Sequence, residues 1–239
     1  MNGLEERPKP IRSGCNIMMD DPFPVEIGPS RLQGLLGIPD NARGLVIFAH
    51  GSGSGRHSPR NNQVARGLRA SGFATLLLDL LTPEEELDRR NVFDIPLLAS
   101  RLVTATTWTH QQRETASLRV GYFGASTGAG AALLAAAMAD GRIGAVVSRG
   151  GRPDLAGDAL EDVHAPTLLI VGSLDGEVLR LNREALVRIE APRRLTVVEG
   201  AGHLFEEPGT LDEVLEHAID WFGRYLPGTA KETGDAQKS

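Results

Sequence analysis

Residues Gly124-Ala125-Ser126-Thr127-Gly128 are the stretch of this chain most suited to chemistry. An apolar run, 118–123 (LRVGYF), leads into them and an alanine-rich run, 129–139, leads out. The pattern therefore predicts strand, tight turn, helix. In a G-x-S-x-G turn of this kind the serine stands on a sharp, strained bend, and side chains at the flanking positions would clash. Its hydroxyl is raised above the sheet edge. The helix behind it presents its positive end, and the Thr127 N–H becomes a donor for an oxyanion. The chemistry this would serve is nucleophilic attack on a carbonyl. The plain alternative is a glycine-rich turn that only tightens a strand–helix junction.

A serine hydroxyl is a weak nucleophile and needs a general base, itself oriented by a carboxylate. Two later segments can supply both. The run 167–171 (TLLIV) ends in Gly172-Ser173-Leu174-Asp175-Gly176, which sets Asp175 just past a strand. The next run, 195–198 (LTVV), ends in Glu199-Gly200-Ala201-Gly202-His203, which sets His203 in a glycine-lined loop. Catalytic groups of open α/β sheets gather at this edge, and the order Ser, Asp, His is one such folds use. Asp175 has a plain alternative as a turn or helix-capping residue. His110, His164 and His217 fall near helix ends, in a loop or on a helix, and read as surface or packing residues. The run Phe48-Ala49-His50-Gly51-Ser52-Gly53-Ser54-Gly55 follows the first central strand. A His-Gly turn there can supply a second oxyanion N–H, assigned to Ser52 with Gly51 as the alternative.

Competing chemistries fit less well. Gly124-x-x-x-Gly128-x-Gly130 also matches a dinucleotide-binding turn. That reading needs a Tyr-x-x-x-Lys pair, but the residues four beyond Tyr122 and Tyr225 are Ser126 and Thr229. An acidic ribose-binding residue about 20 positions on is missing too. The glycine run at 51–55 fails the phosphate-loop pattern for want of a lysine. His50 and His57 have no third ligand at sensible spacing, so no metal is expected. Arg56, Arg60, Arg149 and Arg152 should lie in loops after strand ends. Arg56, Arg149 and Arg152 are thus candidate substrate-binding residues for a carboxylate-bearing molecule. Ion pairing with neighbours such as Asp79 or Asp154 is the competing and preferred expectation.

These groups must be positioned by alternating elements. Continuous apolar runs at 45–49, 73–80, 118–123, 143–147, 167–171 and 195–198 suit strands buried on both faces. Helices lie between them, one with Asp94 as N-cap and Pro96 behind it, another with Thr210-x-x-Glu213 as a capping box. The fold class is α/β: a doubly wound, mostly parallel sheet with helices on both faces. Residues 25–38 should form an antiparallel hairpin on its edge. Only 18 residues, Ser148–Ala165, separate the strand after the alanine-rich helix from the next one, so no cap domain is expected. Residues 1–24 read as an N-terminal arm, 25–226 as one domain and 227–239 as a mobile tail.

The chain has 239 residues, 41% hydrophobic and 23% charged, with a net charge of −6. An acidic chain lacks the electrostatic footprint of a nucleic-acid binder. Cys15 is the one cysteine, which excludes an internal disulfide. No apolar run reaches membrane-spanning length, and the charged N-terminus is no secretory signal, so a soluble, cytoplasmic protein is expected.

HGSGSGRHSPRN, GYFGASTGAG, VGSLDGEV and GAGHLFEEPG occur in the order and at the intervals of the α/β-hydrolase superfamily. Together they resemble its dienelactone-hydrolase-like branch over about residues 25–226. The resemblance implies Ser126 as nucleophile, Asp175 as acid and His203 as base, the same residues that motif and spacing single out. Dienelactone hydrolases proper use a cysteine nucleophile; serine here favours an esterase over dienelactone itself. Some relatives are fused to a phosphoribosyltransferase domain, for which no residues are left over. The expectation is a cap-less serine hydrolase of small or short-chain carboxylic esters. It acts through an acyl-enzyme, without cofactor, on a small-molecule ester, with no nucleic-acid or membrane partner. A thioesterase or lactonase with the same triad, a non-catalytic binding protein of this fold and an NAD(P)-dependent short-chain oxidoreductase are the rivals. Oligomeric state is left open, because an apolar helix face serves a core or a partner equally.

Overall fold

A computed structural model describes residues 21–227. Most of the expected arm, Cys15 and the expected tail beyond Pro227 lie outside the described residues. The chain opens with an antiparallel hairpin, β1 (Phe23–Ile27) and β2 (Leu32–Gly37). Its first strand begins two residues inside the stretch expected as arm. The elements that follow are β3 (Leu45–Ala49), α1 (Pro59–Ala70), β4 (Ala74–Leu78), α2 (Pro83–Glu86), α3 (Arg89–Val92), α4 (Ile95–Gln111) and β5 (Val120–Ala125). Then come α5 (Thr127–Met138), β6 (Ala145–Arg149), a 3-10 segment (Pro153–Leu160), β7 (Thr167–Gly172), α6 (Gly176–Arg188), β8 (Arg193–Val198) and α7 (Thr210–Tyr225).

Among the described residues eight strands make one sheet, in the order β1-β2-β4-β3-β5-β6-β7-β8. The hairpin joins β4 antiparallel, and β3 to β8 run parallel. Every residue of β3 to β7 is buried, which is why these strands are mostly apolar, with Ser148 and Arg149 at the end of β6 as the main departures. One core packs α4, α5 and α6 on the sheet through Leu98, Leu102, Leu133 and Ala185. The other packs α1 and α7 through Val64, Leu68, Val214 and Phe222. Between β6 and β7 stands only the 3-10 segment, so no cap domain is inserted at that point.

Helix starts divide the expectations. Asp94 does cap α4, accepting from the Leu97 N–H at 3.0 Å. The capping box at Thr210 does not form. α7 begins after Gly209 at φ 82°, and the Thr210 hydroxyl donates to the Glu207 carbonyl at 2.8 Å. A complete capping box stands at Thr82 instead, closed by Glu85 ahead of α2.

Arg149 is an anomaly for a buried strand. It follows Val147 on the α1/α7 face and is 7% exposed, and its Nε and Nη1 have no hydrogen-bond partner among the described residues. Burial first, then the charge of Arg60, hold its guanidinium below the usual arginine range, at about 10. Between that value and its ordinary one the folded chain binds fewer protons than the unfolded chain. The destabilisation is therefore complete at neutral pH and is relieved only as pH climbs past about 10. Arg149→Met keeps the length and removes the charge. It is expected to stabilise the fold by about 1–2 kcal/mol, raising Tm by roughly 2–8 °C. Thermal denaturation at neutral pH checks this, and a fall in Tm would reveal a counter-ion for the guanidinium in solution.

Candidate active site

In the sheet order the chain turns outward from β3 to β4, then crosses back to β5 on the other side of β3. The carboxyl ends of β3 and β5 thus flank a topological switch point, where an α/β sheet opens a crevice. His50-Gly51-Ser52 leaves β3 there and Ser126-Thr127 leaves β5. The two turns touch: a Cβ on Gly51 would lie 3.0 Å from Ser126 Cβ.

Ser126 has φ 50° and ψ −124°, a left-handed backbone that costs a side-chain-bearing residue about 1–3 kcal/mol. The bend is possible because its neighbours are small. A Cβ on Gly124 would sit 2.5 Å from Ala129 Cα, and one on Gly128 would overlap the carbonyls of Ala49 and His50. Both glycines of the motif are therefore steric requirements. The third glycine of the dinucleotide pattern, Gly130, lets α5 press against Arg152 and Leu155 of the following segment. The bend is clamped by β6 and its exit. Ser126 N–H donates to the Arg149 carbonyl at 3.3 Å, and its own carbonyl accepts from Arg152 N–H at 3.0 Å.

Asp175 and His203 arrive on loops that continue the β7–β8 ladder. Ser173 N–H donates to Val198 O at 2.9 Å and Leu174 N–H to Ala201 O at 3.0 Å, which zips the two loops together. Asp175 occupies the N-cap position of α6 but makes no side-chain cap bond. Its carboxylate accepts from His203 Nδ1 at 2.6 Å instead. That fixes the proton on Nδ1 and leaves the Nε2 lone pair for Ser126 Oγ, 3.3 Å away. Such a spacing is usual before substrate tightens the contact. The imidazole is 38% exposed and the carboxylate 15%, so the ring is open to solvent and its partner is shielded.

An open cavity of about 690 Å³ is lined by residues 50–60, Asp79, Leu81, Glu86, Val92, Leu98 and Thr127, the residue after Ser126. The connection through α2 and α3 builds this wall, so the site is deeper on that side than a cap-less edge suggests. Ser52 does not aim its N–H into free space: it donates to Thr127 Oγ1 at 3.0 Å. His50 accepts from Leu80 N–H on Nε2 at 3.1 Å, so its Nδ1–H is the donor to Gly51 O at 3.0 Å. Both ring nitrogens are thus committed, a role that the spacing of the histidines did not announce.

The arginines resolve differently from one another. Arg56 pairs with Asp79 through both its backbone N–H and its guanidinium, and Arg152 pairs with Asp154 at 2.7 Å. These are the ion pairs expected as the competing reading. Arg60 belongs to the first turn of α1 and pairs with Glu206 at 2.8 Å. Arg149 ends a strand rather than lying in a loop, and its side chain is buried beneath the edge. Among the described residues no group of three or more His, Cys, Asp or Glu comes together as a metal site. No helix there is long and apolar enough to cross a membrane.

The model of the dienelactone hydrolase family matches residues 32–226. Two Mycobacterium tuberculosis proteins, from strains CDC 1551 / Oshkosh and ATCC 25618 / H37Rv, are each named "Putative phosphoribosyl transferase". Each is 61% identical over 211 residues, covering 88% of this chain and 48% of the relative. The chain thus spans about half the length of the curated relatives it matches. Among solved structures, a dienelactone hydrolase from Anabaena variabilis ATCC 29413 is 54% identical with a TM-score of 0.82, over 86% of this chain and 99% of that one. The Pyrococcus furiosus esterase Pf2001 shares the fold at 18% identity and a TM-score of 0.69, over 91% and 100% of the two chains. With most of its described length matched and the expected sheet in place, the chain belongs to the dienelactone hydrolase family.

Proposed function

We propose that this protein is a serine hydrolase that cleaves small or short-chain carboxylic esters through an acyl-enzyme. The observation that carries the reading is the hydrogen-bonded series Asp175–His203–Ser126, at 2.6 and 3.3 Å, with the serine on a strained bend. Ser126 Oγ attacks the ester carbonyl as His203 Nε2 takes its proton. The oxyanion forms beside the Thr127 N–H, a donor at the start of α5 with no partner among the described residues. Collapse expels the alcohol, which leaves with the proton from Nε2. Water then attacks the acyl-enzyme, again giving a proton to His203, and the acid departs from a restored serine. Asp175 holds the imidazole in the tautomer this needs.

The cavity bears on the substrate. Its volume suits a small molecule. Leu81, Val92 and Leu98 offer an apolar wall, and the charge of Arg56 is already balanced by Asp79. A neutral short ester fits these surroundings better than a carboxylate-bearing one. Thioesters and lactones would use the same three residues. We assign the phosphoribosyl transfer in the relatives' name to the half of those proteins that this chain does not match.

Intact-mass spectrometry after fluorophosphonate treatment tests the nucleophile. One adduct is expected on the wild type and none on Ser126→Ala. No adduct on a folded wild type would favour the non-catalytic binding protein of the same fold. Asp175→Asn should leave the circular-dichroism spectrum intact and lower turnover of a short ester by about 10³–10⁴-fold. Near-wild-type turnover would mean that another carboxylate serves His203.

A further inference from the structure

The Gly51–Ser52 peptide is held at both of its polar groups. Its carbonyl accepts from His50 Nδ1–H at 3.0 Å, and its N–H donates to Thr127 Oγ1 at 3.0 Å. The imidazole is itself fixed by the Leu80 N–H at 3.1 Å. Turning this peptide would break both bonds, so its N–H stays directed at the Thr127 oxygen. A threonine hydroxyl has one proton to give. With a lone pair occupied by Ser52, the O–H of Thr127 is the group left to donate, and no acceptor among the described residues takes it.

Location adds to this. Thr127 follows Ser126 directly, is 7% exposed, and lines the cavity together with Gly51 and Ser52. Its backbone N–H is the first of α5 and its hydroxyl belongs to the same residue. A hydroxyl that accepts one hydrogen bond donates a stronger one, the more so away from bulk water. A hydroxyl rotor can also swing its proton toward charge as that charge develops, by rotation about one bond.

We propose that the Thr127 hydroxyl is itself an oxyanion donor, polarised by the Ser52 N–H, so that Ser52 acts through it as a positioning residue. The second donor is then a side chain rather than the Ser52 peptide expected from the sequence. The inference rests on the serine-hydrolase reading above.

Substitution at Thr127 separates the possibilities, because the candidate donors respond in opposite directions. Thr127→Val keeps the shape, removes the proton and releases the Ser52 N–H. If the hydroxyl donates, kcat for a short ester falls about 10²-fold while KM changes little, since the oxyanion exists only in the transition state. Thr127→Ala should fall similarly, and Thr127→Ser should recover kcat to within about threefold of the wild type. The Ki of a trifluoromethyl ketone, whose adduct carries the oxyanion, should weaken across the series in step with kcat/KM. Thr127→Val at or above wild-type rate would overturn the proposal and make the freed Ser52 N–H the donor. Equal losses in the Val and Ser variants would overturn it too, as would ketone affinities that do not move. The wild-type control distinguishes the two levels. If it labels with fluorophosphonate and turns over ester, failure of the series counts against Thr127 alone. If it does neither, the serine-hydrolase reading falls and takes this one with it.

Discussion

The fold at its carboxyl edge is organised around one backbone conformation. At φ 50° and ψ −124° Ser126 cannot relax into its own strand or its own helix, so the surroundings must hold it. β5 ends against the N-terminal turn of α5, closely enough that Gly124 meets Ala129 and Gly128 meets the β3 carbonyls. The Arg149 carbonyl and the Arg152 N–H then fasten the serine peptide to the next strand and its exit. Removing the bend would require α5 to move off the sheet, and α5 is buried between the sheet, α4 and the 3-10 segment. The largest core of the molecule is what keeps one strained residue in place.

Convergence of distant residues follows from the parallel sheet. Every strand from β3 onward ends at the same edge, so residues that leave successive strands meet without special loops. Ser126 and His203 are 77 positions apart, and Asp175 and His203 are 28 apart. Asp175 leaves a strand two spacings from that of Ser126 and His203 a strand three spacings away, and the short backbone ladder that prolongs β7 and β8 draws the two loops together. The loop carrying His203 is pinned at its far end by Phe205, buried and at φ 55°, another left-handed residue in a place that chain geometry imposes.

How much of this was legible depended on how local the cause is. Strands buried on both faces are mostly apolar, so β3 to β7 stand out as runs even though β6 ends in Ser148 and Arg149. β8 is an edge strand whose Arg193 and Arg194 are exposed, and its start is therefore hidden from any apolar pattern. The turn at Ser126 is legible because steric overlap demands glycine at fixed offsets, 124 and 128. The capping boxes show the opposite case: Thr210-x-x-Glu213 and Thr82-x-x-Glu85 carry the same signal, and only the direction of the incoming loop decides between them. Gly209 brings the chain into α7 at a left-handed angle, which turns Thr210 into a donor to Glu207. The bond from Ser52 to Thr127 spans 75 positions and joins a peptide to a hydroxyl. No composition or spacing rule encodes such a pair, so this side of the site was readable only as a region.

Three local preferences are broken along this edge, and their distribution is informative. Ser126 accepts backbone strain. Asp175 stands where a helix would take a cap and gives its oxygen to His203 instead, forgoing a bond usually worth about 1 kcal/mol. Arg149 is a cation in an apolar layer whose Nε and Nη1 find no partner among the described residues. Sequences agree with their folds at most positions, and departures concentrate where selection has acted on something other than stability. For Ser126 and Asp175 the compensating gain is visible in the geometry, a hydroxyl raised toward an imidazole and that imidazole held by a carboxylate. For Arg149 the backbone alone takes part, through the carbonyl that receives Ser126 N–H. Any strand residue could offer that carbonyl, so the carbonyl does not explain the guanidinium. Its retention is the departure at this edge that the Asp175–His203–Ser126 series does not absorb.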